Sequence, residues 1–157
     1  MKRILLYIGI LAAVVAAPAE QMNVGELIPV QVVSVYKENG WTVIETDTED
    51  KGIGGTAKQA LRNLKDTACG RIYLDTAQYL LLGVDAADAV EELRGELRST
   101  VRMCQSDKQV DLTQAAKYLT VHGQLPKLKD WKKDVELPVL STFRDSLIFL
   151  KKVENSA

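Results

Sequence analysis

The sequence has one histidine, His122, and two cysteines, Cys69 and Cys104, among its 157 residues. A metal site or a catalytic triad generally needs its histidine beside a nucleophile or further ligands. No such residue lies near His122 in the chain, so we interpret it as a helix-terminal residue that interacts with the helix dipole. The cysteine spacing fits neither a C-x-x-C motif nor a zinc pattern. The sequence therefore leaves two alternatives for the cysteines, a Cys69–Cys104 disulfide or two partly buried free thiols.

An excess of positive charge is also lacking. The chain has 20 lysines and arginines against 21 aspartates and glutamates, a formal net charge of -1. Proteins that bind nucleic acid usually carry a basic patch or have a high isoelectric point. The composition therefore argues against a nucleic-acid partner.

The N-terminus has the three regions of a secretory signal. Lys2 and Arg3 precede the apolar run "ILLYIGILAAVVAA", and Ala17 and Ala19 fit the small-residue positions of a cleavage site. The run is short compared with the roughly 20 apolar residues that span a bilayer. We predict a signal peptide over residues 1–19, with an uncleaved N-terminal anchor as the alternative. Both place the rest of the chain outside the cytoplasm.

The remainder, residues 20–157, is predicted to be a single extracytoplasmic domain. No second long apolar run follows the N-terminal segment, so the sequence predicts no internal membrane span. Contact with a membrane is then expected only through the N-terminal segment, if it stays uncleaved. Cleavage also removes Lys2 and Arg3, which changes the formal net charge from -1 to -3.

A β-hairpin is predicted at the start of this domain. The run "LIPVQVVSVY" is rich in β-branched residues, the step Asn39-Gly40 follows it, and "WTVIETD" then alternates with period two. Two such runs around Asn-Gly are a strong hairpin signal. The pair Val32-Val33 breaks the alternation, which indicates either a bulge or burial on both faces.

Three helices are predicted from their spacing and caps. Thr56 and Gln59 form a T-x-x-Q capping box before the first helix, Asp85 is the expected N-cap of the second, and Asp111 opens the third, with Gly123 as its C′ residue. Their apolar faces consist of Ala57, Ala60, Leu61, Leu64 and Ala68 in the first helix, Ala86, Val90, Leu93 and Leu97 in the second, and Leu112, Ala115, Ala116 and Leu119 in the third.

Extended segments separate these helices. "RIYLDTAQYLLLG" is predicted to be extended with a bend near Asp75-Thr76, "STVRMCQS" to be a strand, and "PKLKDWKK" to be a short helical turn. The chain is then expected to close with a hairpin across Arg144-Asp145. The order ββαβαβα(α)ββ predicts an α/β (α+β) domain, a mixed sheet with helices packed on it.

The glycine-rich stretch "GIGGTAKQALRNLK", residues 52–65, has the look of a phosphate-binding loop. A Walker loop needs a lysine and a hydroxyl at fixed positions, which are absent. A dinucleotide motif follows a strand directly, whereas "DTEDKG" intervenes here and its acids would repel a pyrophosphate. We interpret the stretch as a flexible turn whose glycines permit a positive φ, and we predict no cofactor.

An acidic loop and four aromatic residues are further candidates for binding sites. The loop "DTED", Asp47 to Asp50, lacks the alternating ligands and distal glutamate of a calcium loop, so we expect a solvated loop without a metal. Trp41, Tyr73, Tyr79 and Trp131 are the natural candidate contacts for a ligand. Partial burial in the core is the more usual fate of a tryptophan.

Part of the sequence resembles a known family. "ELIPVQVVSVYKENGWTVIETD", "GGTAKQALRNL" and "GRIYLDTAQYLLLGVDAADAVEELRGEL" are similar to successive segments of the N-terminal domain in the Ger(x)C family, the C-subunits of spore germinant receptors. "STVRMC" and "LPVL" stand where that family has further strands, so the resemblance spans roughly residues 25–139. Two departures stand out: "AAPAEQ" occupies the place of a lipobox cysteine, and the family's further domains are missing.

The resemblance implies a non-catalytic role, because members of that family assemble with membrane subunits at the inner spore membrane. It implies a protein partner, such as the membrane subunits of a spore complex, and no catalytic residues. Our hypothesis is an exported interaction module in spore formation or germination at the membrane. The alternative is an extracytoplasmic module that binds a small ligand or a cell-wall fragment. An enzyme is the third reading and is not expected, because the sequence shows no converging catalytic groups.

Overall fold

The fold is of the α+β class, a mixed β-sheet with helices packed on it, as the sequence predicts. The computed structural model describes residues 26–107, 109–122, 124–133, 135–143 and 146–150. The predicted signal peptide (residues 1–19), the C′ residue Gly123 and the turn Arg144-Asp145 lie outside these ranges. No helix within them is long and apolar enough to cross a bilayer.

The described residues form nine strands and three helices. The strands are β1 (Leu27–Pro29), β2 (Val32–Glu38), β3 (Trp41–Thr46), β4 (Lys51–Gly54), β5 (Arg71–Tyr73), β6 (Tyr79–Gly83), β7 (Arg102–Ser106), β8 (Val139–Phe143) and β9 (Ser146–Leu150). The helices are α1 (Ala57–Thr67), α2 (Ala89–Leu93) and α3 (Leu112–His122), and short 3-10 turns span Leu74–Thr76 and Leu128–Asp130.

Seven of these strands form the main sheet, in the order β4-β3-β2-β6-β7-β8-β9. The four central strands β2, β6, β7 and β8 run parallel to one another. Strands β3 and β4 on one side, and β9 on the other, are added through antiparallel pairs. Strands β1 and β5 form a separate, parallel two-stranded sheet. The sheet therefore has a parallel centre and ends in β4 and β9.

The β2–β3 hairpin confirms the Asn-Gly prediction. Glu38 pairs with Trp41, and the two residues between them have positive φ, 51° at Asn39 and 81° at Gly40. Positive φ at both central residues is the requirement of a type I′ turn, whose twist matches that of the flanking strands. Asn and Gly tolerate this conformation better than other residues do, which explains the sequence signal.

Val32-Val33 breaks the period-two alternation because the strand is buried on both faces, and not because of a bulge inside the strand. Val33 packs in the core on one side of the sheet and Val32 in the core on the other. A strand in the centre of a sheet with both faces covered reads as a continuous apolar run. The predicted first strand is divided earlier, since β1 ends at Pro29 and joins the smaller sheet.

The glycine-rich stretch begins in a strand and not in a flexible turn. Gly52 and Gly54 lie in β4, paired with Ile44 and Thr42 of β3, and neither has a positive φ. A Cβ atom added at either glycine would overlap the backbone of Ala60 in α1. The glycines therefore let a helix pass close over the strand, a tertiary requirement that their spacing in the sequence does not show.

The helices begin largely as predicted, with two corrections. The Thr56 hydroxyl accepts from the backbone N–H of Gln59 at 3.2 Å, while the Gln59 side chain accepts from Gly55 rather than from Thr56. Asp111 accepts from the N–H of Gln114 at 3.0 Å at the start of α3. Asp85 is not an N-cap, because α2 begins only at Ala89.

The second helix is shorter than predicted, since Ala86 and Leu97 are buried but lie outside α2. The predicted bend, turn and closing hairpin are confirmed. The bend near Asp75-Thr76 is the 3-10 turn between β5 and β6, and "PKLKDWKK" contains the turn at Leu128–Asp130. The closing hairpin is formed by β8 and β9, in which Phe143 pairs with Ser146.

The core has two parts, one on each face of the sheet. On the first face, apolar side chains of α1, α2 and the segment that holds Trp131 pack on β2, β3, β6 and β7. On the second face, α3 packs through Leu112, Ala115, Ala116 and Leu119 on Val32, Tyr79, Leu81, Cys104 and Leu140. Burial of a large apolar side chain contributes about 1.5–3 kcal/mol, so the two parts together fix the position of every central strand.

Candidate functional site

The four aromatic candidates do not form one site. Trp41 is 54% exposed at the tip of the β2–β3 hairpin, and Tyr73 is 38% exposed at the end of β5. Tyr79 begins β6 beside Val32, so it lies at the end of the sheet opposite to that hairpin tip. Trp131 packs in the core of the first face. A ligand that touches all four residues is therefore excluded.

Two of these residues are core residues. Tyr79 is 2% exposed, and its hydroxyl donates a hydrogen bond to the carbonyl of Leu119 at 3.2 Å. Trp131 is 5% exposed, and the Arg94 guanidinium lies 5.9 Å from its ring centroid. A buried aromatic with a satisfied polar atom is a packing residue first. Tyr79 also borders a surface cavity that it shares with Tyr73, and Trp131 is a wall of a cavity described below, so the contact roles of both residues stay predictions.

His122 and the cysteines carry no assembled chemistry. His122 is the last residue of α3, with its ring 4.3 Å from that of Tyr118. Cys69 is exposed, Cys104 is buried on β7, and the two thiols are free rather than joined. Burial raises the pKa of the Cys104 thiol to about 12, so it is not a nucleophile at neutral pH.

The loop of Asp47 has a structural task that the sequence did not reveal. The Asp47 carboxylate accepts from the backbone N–H groups of Gln31 and Val32 at 3.0 and 3.1 Å. It therefore satisfies two donors at the start of β2, where the chain changes from one sheet to the other. Across the described ranges, no group of three or more His, Cys, Asp or Glu side chains is placed to hold a metal ion.

A polar cluster lies where β2, β3 and β4 meet the loop before α3. The Tyr36 hydroxyl and the Gln109 amide both donate to Glu45 Oε2, at 3.1 and 3.2 Å. Burial is the main cause that raises the pKa of Tyr36, and a hydrogen bond to Tyr36 raises the pKa of Lys51. A phenol with a raised pKa stays protonated at neutral pH, so Tyr36 acts as a donor that joins these elements and not as a base.

The two end strands of the main sheet differ in how their outer sides are covered. At β4, the Asn63 side chain of α1 donates to the carbonyl of Ile53 at 2.6 Å. At β9, β8 is the neighbour on the inner side, and among the residues that the structure describes no strand pairs on the outer side. We call this outer side the β9 edge.

The hydrogen bonds of β8 show which groups the β9 edge presents. Gln105 and Asp107 donate to the carbonyls of Pro138 and Leu140, so those peptide groups face β7. Peptide groups alternate along a strand, so that of Ser141 faces β9, where it meets Ile148. The N–H and C=O groups of Leu147 and Phe149 therefore point outward from the sheet.

The side chains of β9 are apolar and only half-buried. Leu147 and Phe149 pack against the core of the second face, where the Phe149 ring lies 5.6 Å from that of Tyr118. Ile148 is half-buried and Leu150 is 47% exposed. An apolar edge strand without a charged residue is a ready template for another strand.

A surface cavity of about 820 Å³ adjoins this strand on the first face of the sheet. It lies at the carboxyl ends of β6 and β7, the position where open α/β sheets commonly bind ligands. Its walls include Leu82, Ala87, Gln105, Trp131, Leu137 and Leu150. We call it the β9 cavity.

Comparison with known proteins supplies no family for this chain: no protein-family model, no curated protein and no solved structure matches it. The β9 edge and the β9 cavity are therefore the features on which a function can be argued. Neither was predicted from the sequence, because both depend on which strand ends the sheet.

Proposed function

We propose that this protein is a non-catalytic exported interaction module that binds a protein partner by strand addition at the β9 edge. The observation that carries the proposal is the outward row of peptide groups at Leu147 and Phe149, set between half-buried apolar side chains. In strand addition, main-chain hydrogen bonds supply affinity, and pockets for alternate side chains supply specificity. The β9 cavity, beside Leu150, is such a pocket.

The cellular location and process in this proposal are inferred from the sequence. The N-terminal segment has the pattern of a secretory signal, and the resemblance to the Ger(x)C family supports a role in spore formation or germination at the membrane. Fractionation of growing and sporulating cells with a tagged chain tests this setting. Accumulation with the spore membranes during sporulation supports it, and release into the medium during ordinary growth contradicts it.

The binding role is tested with a photo-crosslinking residue at position 150, introduced into the tagged chain in its own cells. The matched control is position 53 on β4, because Leu150 and Ile53 are equally exposed, each at 47%. The proposal expects light-dependent adducts from position 150 and few from position 53. Equal yields from both positions, or none from either, would contradict it.

The β9 cavity favours a second candidate function, an extracytoplasmic module for a small ligand or a cell-wall fragment. Its volume of about 820 Å³ lies within the usual range of ligand sites, 300–1,000 Å³. Trp131 forms one wall, so its fluorescence should report occupancy. Titration with soluble peptidoglycan fragments should shift that fluorescence and raise the Tm in the wild type. A Val135→Phe variant, which narrows the cavity from an exposed wall and adds no tryptophan, should weaken both effects.

A further inference from the structure

We propose that the strand that docks on the β9 edge is β9 of a second copy of this chain, so that two sheets join into one about a two-fold axis. This inference rests on the proposed function and names its partner. The argument uses the directions of the peptide groups, the side chains that they bring together, and the state of the opposite edge.

The hydrogen-bonding groups of β9 are complementary to themselves. The outward peptide groups belong to Leu147 and Phe149, on either side of Ile148. When two copies pair antiparallel about Ile148, Leu147 of one stands opposite Phe149 of the other, and the reverse. Both residues then exchange N–H···O=C bonds in each direction, which gives four hydrogen bonds. In this register all four hydrogen bonds join residues of the described strand, Ser146–Leu150.

The side chains support the same register. Leu147 and Phe149 lie on the second face, so the pairing places a leucine against a phenylalanine twice, next to Tyr118. Aromatic and aliphatic pairs across strands contribute about 0.2–1 kcal/mol each. On the first face, Ile148 meets its own copy. The segment "SLIFL" carries no charge, so β9 itself brings no like charges together when two copies pair.

The other end of the sheet does not offer an equivalent partner. Strand β4 has only the four residues "KGIG", and Asn63 occupies the carbonyl of Ile53. Of the two end strands of the main sheet in the part of the chain that the structure describes, β9 is the longer, and its residues are uncharged, whereas β4 begins with Lys51. A second copy therefore supplies a matching strand at the concentration of the protein itself.

Disulfide trapping in purified protein tests this register. In a Cys69→Ser background, Ile148→Cys places two thiols across a non-hydrogen-bonded pair with Cα atoms about 4.5 Å apart, within reach of a disulfide. The control is Leu150→Cys, whose copies lie four residues apart along the strand, about 13 Å. Mild oxidation should give a covalent dimer from Ile148→Cys and at least tenfold less from Leu150→Cys. Equal trapping of both, or of neither, would overturn the proposal.

Sedimentation equilibrium supplies an independent measurement. Leu147→Pro removes an outward N–H and leaves the bonds to β8 in place, a substitution that edge strands tolerate. Leu147→Ala loses the side chain and keeps the N–H, so it is the matched control. The dimer Kd should rise at least tenfold more in Leu147→Pro than in Leu147→Ala, with both variants folded by circular dichroism. Equal Kd values, or a wild type that is monomeric at every concentration, would overturn the proposal.

These tests separate the dimer from the wider proposal. If purified protein neither dimerises nor traps at position 148, while position 150 still crosslinks to another protein in cells, the partner is not a second copy and the interaction module stands. If position 150 gives no adduct in cells, the proposed function fails, and so does the self-pairing in cells, even where purified protein dimerises.

Discussion

Strands β4 and β9 end the same sheet, yet their surroundings differ. At β4, two glycines let α1 pack closely over one face of the strand, and Asn63 bonds an edge carbonyl. At β9, uncharged apolar residues flank outward peptide groups. Natural proteins usually protect edges by covering, shortening or charging them. Strand β4 is short, begins with a lysine and has a bonded carbonyl, whereas β9 shows none of these three features within the described residues.

The largest expected effect is a difference in reactivity between two thiols, one in the middle of the sheet and one at the surface. Cys104 lies on the central strand β7 with its pKa raised to about 12, whereas Cys69 is exposed. Since the thiolate is the reactive form and Cys104 is buried with a raised pKa, a thiol reagent at pH 8 should modify Cys104 at least roughly 100-fold more slowly than the exposed Cys69. The measurement is the time course of labelling in folded protein, with Cys69→Ser as the control. Two rapidly labelled thiols would show that the centre of the sheet is not closed.

The next effect tests how closely α1 packs on β4. Gly52→Ala introduces a Cβ that meets backbone atoms of Ala60 and Leu64, so α1 must move away from β4. Overpacking of this kind costs about 3 kcal/mol, to be measured as the free energy of unfolding in urea. The control is Gly95→Ala, where an added Cβ has no neighbour within 4 Å and the change should stay within about 0.5 kcal/mol. Equal stability of the two variants would refute the close approach.

A smaller effect is expected from Asn63→Ala. The variant removes the donor to the Ile53 carbonyl and should lower the free energy of unfolding by about 1 kcal/mol. Because it uncovers the edge, a photo-crosslinker at position 53 should begin to give adducts. Arg62→Ala, an exposed neighbour on α1, is the control and should change neither quantity. If position 53 stays silent in Asn63→Ala, the Asn63 hydrogen bond does not protect the edge.

The smallest effect belongs to an ion pair on the sheet between the two edges. The Lys37 ammonium lies 2.8 Å from Asp88 Oδ2, and its hydrogen bond lowers the pKa of Asp88. Because the folded-state pKa is lowered, the pair stabilises the protein above the unfolded pKa of about 3.9, and the contribution is lost as pH falls through the folded-state value. The Asp88 side chain is 61% exposed, so Asp88→Asn should cost less than about 1 kcal/mol at pH 7. The difference between variant and wild type should shrink as the pH falls below the unfolded pKa, and a difference that stays constant through acid titration would contradict the assignment.

Local chemistry explains which parts of the fold were predictable. The Asn39-Gly40 turn, the Thr56 and Asp111 caps and the period of α1 and α3 depend on neighbours within a few residues, and the structure confirms them. The second helix is shorter than its pattern predicts, because Ala86 and Leu97 are buried outside α2. The interpretation of Gly52 and Gly54 is wrong because these glycines serve contact with a helix backbone rather than freedom of φ. The burial of Tyr79 was not predictable, because an aromatic in a strand does not show which face is covered. The β9 edge was missed because the order of strands in a sheet is not a local property.

The separation of paired strands along the chain also bears on how the protein folds. The β2–β3 and β8–β9 hairpins pair neighbouring segments and should form within about 1–10 μs. The parallel pair β2–β6 joins Val32 to Tyr79, 47 positions apart, and such distant pairings form slowly. We therefore expect the β8–β9 hairpin to exist before it docks on β7. Until it does, the exposed edge of the nascent sheet is β7 itself, and docking moves that edge outward to β9.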